Sequence, residues 1–298
     1  MALLKVSNLT KRFNHFHALN GVNMEVNEGE VYGFIGPNGA GKSTTIKAIL
    51  GMLKPTQGTI EMYGKDVRKH AVEVHKHIAF VPGDVNLWPN LTGGEIIDFF
   101  LNLHGRANHE RKETLIKQFE LDVSKKCKSY STGNRQKVAL IAAFSIDADL
   151  YILDEPTSGL DPLMEDVFQK CIEEIKSQNK SVLLSSHILS EVEKLCDRVS
   201  IIRKGQIVET GTLDEMRHLT RMHFIVESTQ ALSHLSQVPG VHNLTQEDET
   251  YYFKVDSEKI SGVINYLGNY EIKRLASQPP TLEDIFKRHY EDNDKVGE

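Results

Sequence analysis

Short apolar runs separated by turn signals divide the chain before any motif is considered. Val31-Tyr32-Gly33-Phe34-Ile35, Ile78-Ala79-Phe80-Val81, Tyr151-Ile152-Leu153 and Ser181-Val182-Leu183-Leu184-Ser185-Ser186 read as strands buried on both faces. A helical stretch, 44–50, follows the first run, and the second stops at Pro82-Gly83-Asp84, a turn. Leu3–Val6 and Val22–Val26 read as two strands joined by a turn-rich segment carrying Phe13 and Phe16. Pro55-Thr56-Gln57-Gly58 opens another strand, which ends at Gly64. From Asp84 to about Asp147 the pattern turns helical: Thr92 caps a helix through Phe99 with Glu95 completing a capping box, and further helices cover Glu110–Phe119 and Asn134–Ile146. Helix Ile188–Leu195, strand Val199–Arg203 and the turn at Gly205 into Gln206–Glu209 complete this region.

Beyond residue 219 the pattern restarts. Strand Met222–Glu227, helix Gln230–Gln237, strands Val241–Thr245 and Tyr251–Val255, helix Glu258–Leu267 and strand Tyr270–Leu275 give the order βαββαβ, the split ferredoxin-like arrangement. A last helix is expected from the Thr281 cap, carrying Leu282, Ile285 and Phe286, ahead of a polar tail from Glu291. The expected organisation is an α/β domain over 1–219 and a small α+β domain over 220–298. The first has a mixed sheet core, an antiparallel β edge and a helical subdomain at about 84–147.

Composition narrows the class. A chain of 298 residues with 40% apolar content can bury two cores, and a formal charge of −6 with both signs interspersed argues against a nucleic-acid surface. The longest apolar stretch, Val138–Ile146, is too short to span a bilayer, and the amino terminus lacks a signal-peptide pattern, so a cytoplasmic location is expected. Cys127, Cys171 and Cys196 read as reduced structural thiols, and the histidines show no metal-ligand spacing.

The chemistry starts where the first buried run ends. Gly36-Pro37-Asn38-Gly39-Ala40-Gly41-Lys42-Ser43-Thr44 is a P-loop, a pattern that arises by chance about once in a hundred chains of this length. Glycines let successive backbone N–H groups turn onto one phosphate, and the following helix aims its positive end at the same point. Lys42 would reach the β- and γ-phosphates of a nucleotide, and the Ser43 hydroxyl would ligate Mg²⁺. Asp154-Glu155 ends another buried strand, where open α/β sheets place their chemistry. The first acid can hold the metal and the second can orient or deprotonate a water. His187, at the end of the run Ser181–Ser186, is a γ-phosphate contact on the same edge. Phe13 is read as a ring stacked on the base, with packing in the edge sheet as the alternative, and Phe16 as a core residue.

With the P-loop, the acid pair and His187 in this order, residues 3–218 resemble the ATP-binding cassette (ABC) family of transporter ATPases. Tyr130-Ser131-Thr132-Gly133-Asn134 stands where that family carries Leu-Ser-Gly-Gly-Gln; Ser131 and Gly133 keep the pattern, while the first Gly and the Gln are absent. Ser158-Gly159-Leu160-Asp161 resembles the D-loop, which in such proteins communicates across a dimer. The resemblance implies an ATPase in which Ser131 and Gly133 grip the γ-phosphate of a partner's nucleotide and Glu155 is the general base. It also implies a homodimer or pairing with a second cassette, and a separate membrane permease that holds the chain at the inner face of the cell membrane. The close of the chain, Gln278-Pro279-Pro280-Thr281-Leu282-Glu283-Asp284-Ile285-Phe286, is similar to export cassettes of the daunorubicin-resistance type, which implies export rather than import. The rivals are a non-transport ABC ATPase and a regulatory nucleotide-binding module that hydrolyses weakly. The C-terminal domain reads as a regulatory or dimerising unit, with a structural cap as the alternative.

Two positions depart from that pattern or go beyond it. The family's Gln after the Phe-Val-Pro run, which helps to hold Mg²⁺ and the lytic water, is Gly83 here, followed by Asp84. Asp84 either swings in as a ligand or belongs to a plain turn; the turn is favoured, because neighbouring extended side chains point to opposite sides. Trp88, the only tryptophan, falls where the family's permease groove begins and reads as an interface anchor, with a local core role as the alternative.

Overall fold

The computed structural model describes residues 2–218, 221–279 and 281–283. The chain divides into two compact units, Met1–Thr210 and Gly211–Glu298. In the first, a long hairpin of β1 (Ala2–Phe13) and β2 (Phe16–Asn27) leads into β3 (Val31–Ile35) and α1 (Lys42–Ile49). The chain returns through β4 (Gln57–Met62), β5 (Lys65–Asp66) and the short α2 (Ala71–His75) to β6 (Ile78–Val81). Next come α3 (Gly93–His104), α4 (His109–Gln118) and α5 (Thr132–Phe144), then β7 (Leu150–Asp154), α6 (Pro162–Ser177), β8 (Ser181–Ser186) and α7 (Leu189–Leu195). The hairpin of β9 (Arg198–Arg203) and β10 (Gln206–Thr212) follows.

The strands of this unit form two sheets, the expected antiparallel edge and a six-stranded core. The antiparallel sheet has the order β2-β1-β4-β5, and the other has the order β10-β9-β3-β8-β7-β6. In the second sheet β3 pairs in parallel with β8 and β9, and β7 with β6 and β8. Every position of β3, β7 and β8 is buried, as continuous apolar runs in a sheet covered on both faces must be. A single buried cluster takes Leu4 and Val6 from β1, Ile46 and Ile49 from α1, and Phe34, Ile152 and Leu183 from the parallel sheet. The two sheets therefore share a core across α1.

Register then decides where chemistry can happen. Ile35 lies beside Ser186, Asp154 beside Ser185, and Val81 beside Leu153. Because these strands are parallel, the loops that follow β3, β6, β7 and β8 leave the sheet at one edge.

The hairpin corrects the reading of Phe16. The ladder runs through the polar middle by repeated register shifts, so Phe13 pairs directly with Phe16 at a two-residue tip. Phe16 is 66% exposed and lies outside the core. The helix α6 lies in a stretch the sequence reading passed over, although its signals are ordinary. Asp161 caps it, Pro162 follows at its first turn, and Met164, Phe168, Cys171, Ile172 and Ile175 form its buried face. All three cysteines are free and buried.

The second unit contains α8 (Leu213–His218), β11 (Met222–Ser228), β12 (Val241–Glu247), β13 (Thr250–Val255), α9 (Ile260–Leu267) and β14 (Ile272–Gln278). The sheet order β12-β13-β11-β14, antiparallel throughout, is the split arrangement expected from the element order. Phe224, Val226, Tyr251, Phe253 and Val255 pack from it against Val263 and Leu267 of α9. The expected helix Gln230–Gln237 is absent; only a single 3₁₀ turn forms, Leu235–Gln237. Side chains outcompete the helix there: the Gln230 N–H donates to Ser228 Oγ, the Leu232 N–H to the Tyr251 hydroxyl, and His234 adopts a left-handed conformation with φ 65°. The last expected helix falls on residues of which only 281–283 are described, and the polar tail from Glu291 lies outside the described residues.

The capping box forms as the sequence predicts. The Glu95 N–H donates to Thr92 Oγ1 at 3.2 Å and the Thr92 N–H donates to Glu95 Oε2 at 2.7 Å, and the helix runs on to a left-handed Gly105. Thr92→Ala is expected to lower unfolding free energy by about 1 kcal/mol, read as a reduced urea midpoint at unchanged slope. An unchanged midpoint would show that this cap carries no stability.

Candidate active site

The loop between β3 and α1 is shaped by its neighbours. A Cβ on Gly36 would collide with the Ile202 carbonyl, and one on Gly41 would come within 2.8 Å of Leu19 Cδ2. Gly41 also has φ 117°, a conformation that side chains oppose. Glycine is thus required twice, and the second requirement ties the loop to β2, which pairs with β1 up to Phe13 at the hairpin tip. Phe13 is half exposed, with Lys11 Nζ 4.8 Å from its ring centroid. The Thr45 hydroxyl is spent on the Gly41 carbonyl at 3.0 Å, whereas no described residue hydrogen-bonds the Ser43 hydroxyl.

Lys42 is 4% exposed, and its ammonium donates to the carbonyls of Gly36 at 2.7 Å and Pro37 at 3.4 Å. It also lies 3.2 Å from Glu155 Oε1, while Glu155 Oε2 lies 3.3 Å from His187 Nδ1. Three residues predicted from separate stretches therefore form one line, Lys42–Glu155–His187. Glu155 adopts φ 47°, a left-handed conformation that is costly for a residue with a Cβ, and its N–H donates to the Ser185 carbonyl and Oγ. Asp154 is buried beside it and accepts from the Ser185 hydroxyl. Ser185 is a site residue the sequence reading missed; the signal was a serine pair closing an otherwise apolar strand.

Gly83 lies directly against the acid pair: a Cβ there would sit 3.1 Å from the Asp154 carbonyl oxygen. Asp84 is exposed and accepts from Asn86 Nδ2 at 3.1 Å, the geometry of a local turn.

Ser131 and Gly133 sit apart from this line. Ser131 caps α5 by accepting from the Asn134 N–H at 3.2 Å. Gly133 is packed so closely on the Gly159 carbonyl that a Cβ would collide with it, and no other described residue comes within 4 Å of that position outside the helix. The Gln136 side chain, buried, donates to the Pro156 carbonyl at 2.8 Å, which ties α5 to the loop after Glu155 a second time. Asp161 closes that loop as the cap of α6, accepting from the Met164 N–H at 3.1 Å.

A glycine-built anion cradle at a helix start, with a lysine, two acids and a histidine on the same sheet edge, defines a P-loop nucleotide hydrolase. Residues 19–158 match the ABC transporter family and residues 211–290 the C-terminal domain of DrrA1-3-like ATP-binding proteins. The ABC transporter ATP-binding protein YhaQ of Bacillus subtilis is 30% identical over 95% of this chain and 97% of its own length. The Nod factor export ATP-binding protein I of Burkholderia lata is 30% identical over 97% of both chains. A solved ATP-binding subunit of an ABC transporter superposes with a TM-score of 0.68 at 34% identity, covering 73% of this chain and 92% of that one. The chain belongs to the ABC transporter ATP-binding family, and its reaction is ATP hydrolysis.

Asp84→Ala is expected to leave the Mg²⁺ concentration for half-maximal ATPase activity within about twofold. A shift of about tenfold, equal to about 1.4 kcal/mol, would make Asp84 a ligand.

Proposed function

We propose that this chain powers a membrane exporter by hydrolysing MgATP, with Glu155 as the general base and His187 as the contact to the γ-phosphate. The observation that carries the reading is the contiguous line Lys42–Glu155–His187 at the P-loop. Lys42 and the amides of residues 36–44 meet the phosphate charge, and Phe13 stacks on the base. When ATP enters, its phosphates compete with Glu155 for the Lys42 ammonium, which leaves the carboxylate free to take a proton from water. Ser43 and, through water, Asp154 would hold Mg²⁺; the unclaimed Ser43 hydroxyl and the buried carboxylate beside the loop fit a hard, oxygen-seeking cation. The metal supplies charge neutralisation on the phosphates.

The packing of Gly133 on Gly159, away from Lys42, supports a nucleotide shared between two copies or with a second cassette, Ser131 and Gly133 acting on the partner's phosphate across the Asp161 loop. The nucleotide-binding domain, read as residues 1–219, carries all these contacts, and residues 220–298 regulate or dimerise it. Export is supported by the match of 211–290 to DrrA-like proteins and by the Nod factor relative.

No helix among the described residues is long and apolar enough to cross a membrane. An apolar cavity of about 610 Å³ between α2, β6, α3 and α5 is lined by Met52, Val72, Val85, Leu87, Phe100 and Leu103, of which Met52, Val72 and Leu103 are largely exposed. Trp88, 51% exposed, meets Phe99 edge-on at 5.4 Å beside Phe100. This surface suits a short helix from a separate permease, which would hold the chain in the cytoplasm at the inner face of the membrane. No nucleic-acid partner enters this reading.

Glu155→Gln is expected to retain ATP binding while slowing hydrolysis by about 10²- to 10⁴-fold and accumulating an ATP-bound dimer on gel filtration. Wild-type turnover in this variant would remove Glu155 from the base role. Trp88→Ala should lose co-purification with the permease while ATP affinity is unchanged; equal loss of both would return Trp88 to the local core.

A further inference from the structure

Glu191 is the one acid of α7 turned inward, 7% exposed and one helical turn past His187. Its Oε2 accepts from the Ser186 hydroxyl at 2.8 Å, and the same Ser186 oxygen accepts from the Ile188 N–H at 2.9 Å. Both neighbours of His187 are therefore tied to this carboxyl group, Ser186 directly and Ile188 through the Ser186 oxygen. The buried Thr157, two residues past Glu155, favours the charged form of the same carboxyl.

The arrangement is costly. Oε1 is buried with no hydrogen-bond partner among the described residues. Burial pushes the carboxyl above the usual Glu range, against the pull of Ser186 and Thr157. An apolar side chain would fill the space without stranding an oxygen, so bulk alone does not account for an acid here.

Resting on the roles given above to Glu155 and His187, we propose that Glu191 is a positioning residue that holds the turn carrying His187. By gripping Ser186 it keeps His187 Nδ1 at 3.3 Å from Glu155 Oε2. Its own atoms touch no substrate; it acts through the backbone on either side of His187.

The test is steady-state ATPase kinetics and ATP affinity on the purified full chain. Glu191→Ala is expected to lower kcat by about tenfold to a hundredfold, the cost of a small misplacement of reacting groups, with KM and ATP affinity within threefold. Glu191→Gln, which keeps both the bulk and an acceptor for the Ser186 hydroxyl, should bring kcat back to within about threefold of wild type, whereas Glu191→Met, which keeps the bulk alone, should stay as impaired as Glu191→Ala. Ser186→Ala removes the hydroxyl through which Glu191 holds the turn and should lower kcat in the same way. Adding Glu191→Ala to His187→Ala should lower kcat no further. A wild-type kcat in Glu191→Ala or Glu191→Met, or a Gln variant as impaired as the Ala variant, overturns the proposal. Should Glu191→Ala not fold, an unchanged kcat in Ser186→Ala overturns it instead. A wild-type kcat in His187→Ala overturns the underlying reading of the site, whereas a damaged His187→Ala beside an intact Glu191→Ala overturns only the positioning role.

Discussion

An ammonium group withdrawn from water must be neutralised within a few ångström, and the burial of Lys42 at the end of β3 sets this requirement for the whole first unit. Two carbonyls of its own loop and the Glu155 carboxylate meet it. Stranding one member of a fully buried pair costs about 3–5 kcal/mol; Glu155 keeps a quarter of its side-chain surface in water, so the cost here lies below that range. The same contact that stabilises the loop holds the proposed base beside the phosphate cradle. On the proposed reading, folding and catalysis make competing demands on one carboxylate, a competition that phosphate would resolve by taking over the lysine.

Close approach of backbones carries the second constraint. Gly41 lets the phosphate loop touch Leu19 of β2, and Gly133 lets the start of α5 rest on Gly159. A methyl group at either place would part the elements. The first contact brings the Phe13 hairpin to the nucleotide loop; the second ties the helical subdomain to the loop that leaves Glu155. Gln136 reinforces that tie through Pro156, and Ser185 anchors both acids to β8. Packing of this kind gives a closed network around a site assembled from residues more than a hundred positions apart.

The parallel strands were legible because burial on both faces leaves short continuous apolar runs, as in Val31–Ile35 and Val182-Leu183-Leu184. The capping box at Thr92 was legible because both of its hydrogen bonds are local. Helix α6 was equally readable from Asp161-Pro162 and its buried periodicity. Phe16 and the stretch 230–237 were not. A ring beside a hairpin turn is core or exposed according to how far the ladder runs, and the lost helix was outbid by Tyr251, which reaches it from another strand.

The amino-acid sequence by itself determined the kinds of chemistry available: glycines where a phosphate needs bare amides, a lysine to meet charge, acids and a histidine at strand ends. Those are local properties of residue type and spacing. Only the tertiary structure decided which of them meet, because the register of β3, β8 and β7 brings Lys42, Glu155 and His187 into one line. It also turned Glu191 inward onto Ser186, since side-chain direction and burial depend on strand order and helix packing, which no single stretch of chain encodes.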